Sequence, residues 1–199
     1  MKPTDILKQE HRVIEQVLSC LERIAEECEA DGNLNGPDAA EAIRFFRTFA
    51  DRCHHGKEEA HLFPLAEARG IPREGGPVGR MVYEHILGRE AIARMDSSLE
   101  RAAEGVPAAC TAFVAAAREY IQLLREHIFK EDYCLFPMAD GVFTELDQRN
   151  LGESFDRVEE SEIGYETHNE AIASADRLAE RYGVPKAEVC CACGHAAKM

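Results

Sequence analysis

Apolar and polar positions alternate with a helical period along four long segments of the chain. In the first, over about residues 5–29, apolar side chains recur at intervals of three and four residues, the spacing of one helix face. The same spacing runs over about 37–63, 78–104 and 107–136, and glycine- and proline-containing turns separate the segments. The pattern predicts four amphipathic helices in an antiparallel up-down-up-down bundle.

The helical pattern continues beyond this bundle. It runs from about 145 to 182 with an interruption near Gly164, and apolar residues remain frequent throughout. We therefore expect this part to pack on the bundle. The sequence predicts an all-α protein with a four-helix bundle over residues 1–140, a helical extension of the same domain over 141–185 and a cysteine-rich tail over 186–199.

Composition narrows the possible partners. A formal net charge of −14 disfavours nucleic acid or an anionic membrane as a binding surface. The most apolar run, 108–117, is too short to span a bilayer, and the N-terminal residues show no secretory signal. The eight cysteines lack the spacing of a disulfide framework. We expect a cytoplasmic protein with reduced thiols, in which Cys20, Cys28, Cys53, Cys110 and Cys134 are small core residues.

Two stretches of the sequence are near copies of each other. Residues 54–64 and 127–137 both read H-x-x-K-E-[ED]-x-x-L-F-P. The histidine and the first glutamate are four residues apart, so on a helix they share a face. Imidazole nitrogen and carboxylate oxygen form a ligand set that suits iron, manganese or zinc. Each copy therefore predicts half of a metal site.

The alignment of the copies separates repeated from unrepeated residues. His54 matches His127 and Glu58 matches Glu131, whereas His55 matches Ile128 and His61 matches Cys134. The two unrepeated histidines are therefore not among the first-choice ligands. The lysine and the second acidic residue of each copy, Lys57, Glu59, Lys130 and Asp132, lie off the ligand face and are expected to face solvent or to support the ligands.

Two further histidines lie on the inward stripes of the other helices, His11 on the first and His85 on the third. Burying the two glutamates without partners would cost several kcal/mol each, and a metal centre would satisfy all six groups at once. The predicted ligands are His11, His54, Glu58, His85, His127 and Glu131.

This distribution of residue types over four helices resembles the hemerythrin family, specifically the bacterial hemerythrin-like (HHE) cation-binding proteins, over about residues 5–137. The resemblance implies a non-haem centre of two iron ions joined by an oxo or hydroxo group. It places His11 and His54 on one iron, His85 and His127 on the other, and Glu58 and Glu131 as bridges.

One departure from the family pattern bears on function. Oxygen-carrying members use five histidines, two of them spaced by four on the third helix, and here that position holds Met81. The resemblance then implies an open position on one iron, which favours redox chemistry over oxygen carriage. A replacement ligand is the other reading, with His168 on the C-terminal segment as the first candidate. The further candidates are His61, Glu15 and Tyr120.

The expected function is a di-iron protein that binds or reacts with O2, peroxide or nitric oxide. If it turns over substrate, it would be a peroxidase- or catalase-like enzyme or an oxidoreductase that reduces NO or O2. The alternative is a non-catalytic module that binds, stores or senses iron through a protein partner. A ferritin-like site is disfavoured because Glu58-x-x-His61 recurs as Glu131-x-x-Cys134. Six ligands also exceed what a single zinc ion takes.

The C-terminal tail holds three cysteines and a histidine within six residues. These residues could bind zinc, copper or iron, or link two chains through a disulfide, and the plainest interpretation is an exposed chain end. They are Cys190, Cys191, Cys193 and His195.

Overall fold

The computed structural model describes residues 1–163 and 165–188, and all regular structure within them is helical. The all-α prediction is therefore confirmed. The helices are α1 (Pro3–Asp31), α2 (Gly36–Phe45), α3 (Phe63–Ala68), α4 (Pro77–Ala103), α5 (Pro107–Lys130), α6 (Phe136–Val142), α7 (Glu145–Arg157) and α8 (Tyr165–Tyr182). π-helical stretches lie at Phe46–His55, Glu58–Leu62, Glu131–Leu135 and Val158–Ile163.

The π-helical stretches join shorter helices into long ones. Residues 36–68 form one continuous helix, and residues 107–142 form another. The four bundle helices, numbered first to fourth below, are 3–31, 36–68, 77–103 and 107–142. Proline stands in the first turn of α1, α2, α4 and α5, where its missing N–H costs nothing. These starts agree with the predicted segments to within a few residues.

Ion pairs along two helix contacts give the directions of the helices. Between the first and fourth helices the pairs are Arg12–Asp132, Glu22–Arg125 and Glu29–Arg118. Between the second and third helices the pairs are Arg47–Asp96 and Asp51–Arg89. In both sets residue numbers rise on one helix as they fall on the other, so these helices are antiparallel.

The apolar core is divided into two clusters. The larger contains Ile14, Ala50, Ile92 and Leu124, and the smaller contains Leu7, Leu62, Met81 and Leu135. Each of the four bundle helices contributes to both clusters. On the first three helices the inward histidine lies between the two contributions in the sequence, and on the fourth His127 lies next to Ile128, the last residue there of the larger cluster. The fold therefore places the predicted ligands in a polar layer between two apolar blocks.

The C-terminal extension packs on the bundle, as predicted. Leu178 of α8 belongs to the larger apolar cluster and Phe155 of α7 to the smaller one. Asp38, near the start of the second bundle helix, pairs with Arg181 and accepts a hydrogen bond from the Tyr182 hydroxyl at 2.7 Å. These contacts fix the two ends of the extension at different places on the bundle.

The cysteines largely follow expectation. Cys20, Cys28, Cys53 and Cys110 are buried, but Cys134 is exposed, which corrects its assignment to the core. It lies in the π-helical stretch after Glu131, where Leu135 takes the inward position instead. The cysteine-rich tail from Cys190 to His195 lies outside the described residues. Among the described residues, no helix combines the length and the apolar character needed to cross a bilayer.

Candidate metal centre

Six of the seven predicted ligands converge at the centre of the bundle. They are His11, His54, Glu58, His85, His127 and Glu131. Each is at most 1% exposed to solvent. Side chains that titrate or carry charge are almost never buried this completely without partners, so their chemistry must be satisfied within the site.

The ligand atoms fall into two groups that could each hold one ion. The first group is His11, His54, Glu58 and Glu131, and the second is His55, His85, His127 and Glu58. Within each group all ligand atoms lie within 4.8 Å of one another. Glu58 belongs to both groups, so the two positions are adjacent and share a carboxylate.

The two glutamates face imidazoles of both groups. In Glu58, Oε1 lies 3.5 Å from His54 Nε2 and Oε2 lies 3.5 Å from His85 Nε2. In Glu131, Oε2 lies 3.2 Å from Nε2 of both His11 and His127. Each carboxylate is therefore placed where it can bridge two ions.

The hydrogen bonds that the candidate ligand atoms make or lack indicate whether a metal ion fits between them. Nε2 of His11 and His54 and both carboxylate oxygens of Glu58 and Glu131 are buried and make no hydrogen bond. Burial, reinforced by the charge of Glu131, raises the pKa of Glu58 well above its usual value. A cation between the groups would supply the missing partner for all of these atoms, so the donor set fits a metal centre.

Carboxylates from neighbouring helices orient four of the imidazoles. The pairs are His11 Nδ1–Asp132 Oδ1 at 2.7 Å, His54 Nδ1–Glu10 Oε2 at 2.8 Å, His85 Nδ1–Glu59 Oε1 at 2.7 Å and His127 Nδ1–Glu84 Oε2 at 3.1 Å. When Nδ1–H donates to a carboxylate, the lone pair of Nε2 is free for a metal. All four Nε2 atoms belong to the central layer.

The protonation preferences follow from burial and from the acidic neighbours. Burial lowers the pKa of His54 to about 3 and of His85 to about 2, which keeps these imidazoles in the neutral, metal-binding form. For His127 burial acts in the same direction, but the charges of Glu131 and Glu84 outweigh it and raise its pKa to about 9. A bound cation would compete with that proton.

The lysines of the repeat support the carboxylates. Lys57 is fully buried, bonds Glu10 and lies 2.9 Å from Glu159 Oε1. Lys130 is partly exposed and bonds Glu84. The sequence predicts that these lysines either face solvent or support the ligands. Lys57 has the supporting role, because it is fully buried.

His55 is the member of the second group that the repeat alignment did not select. The stretch Phe46–His55 is π-helical, so its hydrogen bonds close on the fifth residue instead of the fourth and its turns are wider. In an α-helix adjacent residues point about 100° apart, which would turn His55 away from the face of His54. The wider turn lets both face the centre. The feature of the sequence that could have indicated this is the adjacent pair His54-His55.

The second helix thus supplies the additional histidine that the third helix lacks. Met81 is buried in the smaller apolar cluster and provides no imidazole, while His55 brings the number of central histidines to five. The first group holds two imidazoles and the second holds three. The sequence analysis counts two imidazoles for each position and expects one position to lack a ligand because Met81 stands where the family has a fifth histidine. The structure corrects this count, because His55 is a fifth imidazole in the second group.

Of the four proposed replacement ligands, His168, His61 and Glu15 lie outside the two groups, and Tyr120 lies beside the second. Nδ1 of His168 is 3.9 Å from Cys53 Sγ, and its ring packs 5.3 Å from that of Phe49. Neither metal group includes His168, or His61, which is half-buried. Glu15 pairs with Arg12 on the surface, and Tyr120 packs its ring against that of Phe46.

A small cavity reaches the second group. Its volume is about 100 Å³, and its lining includes the imidazoles of His55 and His85 and the aromatic rings of Phe46 and Tyr120. The exposed Arg89 also lines it. A cavity of this size holds a few water molecules, so it could admit a molecule of two to four atoms to the edge of the centre.

Comparisons with known proteins agree with this geometry. The sequence matches the family described as hemerythrin HHE cation binding domain over residues 2–139. The uncharacterized protein Mb2018 of Mycobacterium bovis is 24% identical over 178 residues, which cover 88% of this chain and 69% of the relative. The uncharacterized proteins MT2051 and Rv1995 of Mycobacterium tuberculosis match with the same identity and coverage. No solved structure matches the chain significantly.

Proposed function

The chain belongs to the hemerythrin HHE cation-binding domain family, and from that premise we propose that its metal centre holds two iron ions and reacts with O2, peroxide or nitric oxide. The observation that carries the proposal is the position of Glu58. Its two unbonded carboxylate oxygens face imidazoles of two different metal groups. A shared carboxylate is the arrangement that two close metal ions require.

The donors narrow the choice of metal. Imidazoles and carboxylates without a thiolate suit iron, manganese and zinc. Zinc has no redox chemistry, and we choose iron over manganese because the family resemblance implies it. When bound, the iron pair supplies the electrons for reduction of the small molecule. The protein residues hold the ions together, keep the imidazoles of His54 and His85 neutral and limit access to molecules that fit the cavity beside His55 and His85.

Peroxide breakdown is the simplest reaction to test because it balances without an external reductant. Two molecules of hydrogen peroxide give two of water and one of O2, so no electron donor is needed. Purified iron-loaded protein should contain two iron ions per chain, show charge-transfer absorption after oxidation and evolve O2 from peroxide faster than the same concentration of free iron. Glu58→Ala should lose all three properties, and His168→Ala should keep them.

The alternative function is a non-catalytic module that binds, stores or senses iron. The near-complete burial of the ligands is consistent with it, since molecules larger than the small cavity cannot reach the ions. It predicts the same two iron ions but no turnover of peroxide, O2 or nitric oxide. Iron content and turnover measured on one preparation therefore separate the two functions. The four buried thiols, which form no disulfide, support a reducing, cytoplasmic location for either.

A further inference from the structure

Four acidic residues surround the candidate centre as a closed ring. They are Glu10, Glu59, Glu84 and Asp132, called the carboxylate ring below. Each comes from a different bundle helix. Each bonds an imidazole of the next helix in chain order, and the fourth helix returns to the first. The bonds run from Glu10 to His54, from Glu59 to His85, from Glu84 to His127 and from Asp132 to His11.

Each member of the ring is also paired with a cation from the helix that carries its imidazole. The pairs are Glu10–Lys57, Glu59–Arg89, Glu84–Lys130 and Asp132–Arg12. A carboxylate held between an imidazole and a cation keeps its charge compensated and its direction fixed. The ring therefore has the same three-part unit four times, at the four contacts between successive helices.

We propose that the carboxylate ring consists of positioning residues, which hold the Nε2 atoms of four histidines on the centre before any metal binds. The inference rests on the metal centre proposed above and extends it to residues that touch no metal. A hydrogen bond from Nδ1–H to a carboxylate selects one tautomer and fixes the ring plane. Ligands that are already oriented lose little freedom on binding, so the ring should raise metal affinity.

The fifth histidine provides an internal comparison. Nδ1 of His55 lies 3.5 Å from Asp51 Oδ1 and makes no hydrogen bond, and Asp51 belongs to the same helix as His55. Its orientation comes from stacking against His85. The proposal therefore assigns a fixed tautomer to four of the central imidazoles and not to His55.

The first test uses the metal-free wild-type protein. Nitrogen-15 NMR of the imidazoles should show Nδ1 protonated on each of the four ring-bound histidines, with these Nδ1 protons protected from exchange. His55 should lack a protected Nδ1 proton. Mixed tautomers or rapid exchange at the four histidines would overturn the proposal. Because no metal is present, the result does not depend on whether the protein uses iron or turns over peroxide.

The second test removes one member of the ring and uses Co²⁺ alone as the metal probe. Glu84→Ala should weaken Co²⁺ binding by about 10- to 100-fold and release the His127 tautomer. Glu84→Gln should restore part of the affinity because its amide oxygen can still accept the Nδ1 proton. The matched control is Glu119→Gln, which breaks a 2.6 Å ion pair with Arg94 between the same two helices far from the imidazoles.

The outcomes separate this proposal from the proposed function. Unchanged Co²⁺ affinity in Glu84→Ala, or an equal loss in Glu119→Gln, would contradict positioning by the ring. If Glu84→Ala does not fold, Asp132→Ala asks the same question of His11, and the wild-type tautomers still decide. If the wild-type protein has the fixed tautomers and binds Co²⁺ tightly but neither takes up iron nor consumes peroxide, only the proposed function is refuted.

Discussion

The imidazole of His55 stacks on that of His85, with ring centroids 3.8 Å apart and planes inclined by 15°. Because both residues belong to the second metal group, replacement of His55 should damage that group and spare the first. We expect His55→Ile, which copies the residue found at this place in the second repeat, to lower bound iron from two ions towards one per chain. Elemental analysis checks this. His61→Ala serves as the control, and retention of both ions in His55→Ile would show that His55 is not a ligand.

Glu58 and His11 should differ in the number of ions that they hold. Glu58 contributes to both groups and His11 only to the first. We expect Glu58→Ala to lose both ions and His11→Ala to retain one, as measured by metal content after exhaustive dialysis. Equal losses from the two variants would contradict the division into two groups.

Removal of the metal should lower thermal stability without unfolding the helices. Metal bound only by the folded state stabilises it by about 2.7 kcal/mol at a free concentration of 100 times Kd. In a chain of this size each kcal/mol shifts Tm by about 2–4 °C. The two apolar clusters and the ion pairs of the carboxylate ring should keep the helices packed. Circular dichroism should therefore show a lower Tm with unchanged helical signal, whereas loss of that signal would mean that the metal is needed for folding.

Lys57 should be among the most sensitive positions outside the ligands. It is fully buried between Glu10 and Glu159 and lies over the ring of Phe155. Removal of one partner from a buried ion pair costs about 3–5 kcal/mol because the other charge stays uncompensated. We expect a loss of that size for Lys57→Met in urea unfolding. The corresponding change at Lys130, about a third of whose side chain is exposed, should cost less.

The contact of α8 with the bundle should weaken at high pH. Burial raises the pKa of Tyr182 to about 12, and the nearby charge of Glu27 adds to the effect. The folded state thus keeps the phenolic proton more tightly than the unfolded state, whose pKa is about 10. The free energy of unfolding should fall as pH rises above about 10, in the window up to about 12. Denaturation of wild type and Tyr182→Phe at pH 8 and 11 checks this, since the variant should lose part of the fall.

The helices were predictable because their signals are local. Prolines at the starts, glycines in the turns and apolar stripes at α-helical spacing are all visible in the sequence. Four of the six first-choice ligands were predictable for a similar reason, since a repeated His-x-x-x-Glu on an inward stripe needs no knowledge of the neighbouring helix. The other two, His11 and His85, follow from their own positions on inward stripes. The structure brings all six together.

The features of the site that the sequence did not predict depend on local departures from the α-helix and on packing between helices. The π-helical turn at His54 changes which neighbours share a face, so His55 was set aside although it faces the centre. The same kind of turn after Glu131 exposes Cys134. The expectation that His168 completes the site came from the packing of the extension, but its ring lies against Phe49 instead.

The carboxylate ring also reveals an internal duplication of the chain. Each half of the bundle is a hairpin whose first helix carries adjacent glutamate and histidine, Glu10-His11 or Glu84-His85, and whose second helix carries one copy of the repeat. Two of the four imidazole–carboxylate bonds lie within a hairpin, and two join one hairpin to the other. Neither hairpin alone can form all four imidazole–carboxylate bonds. The smallest unit able to assemble a complete centre is therefore a pair of such hairpins, and the loop between residues 68 and 77 tethers them.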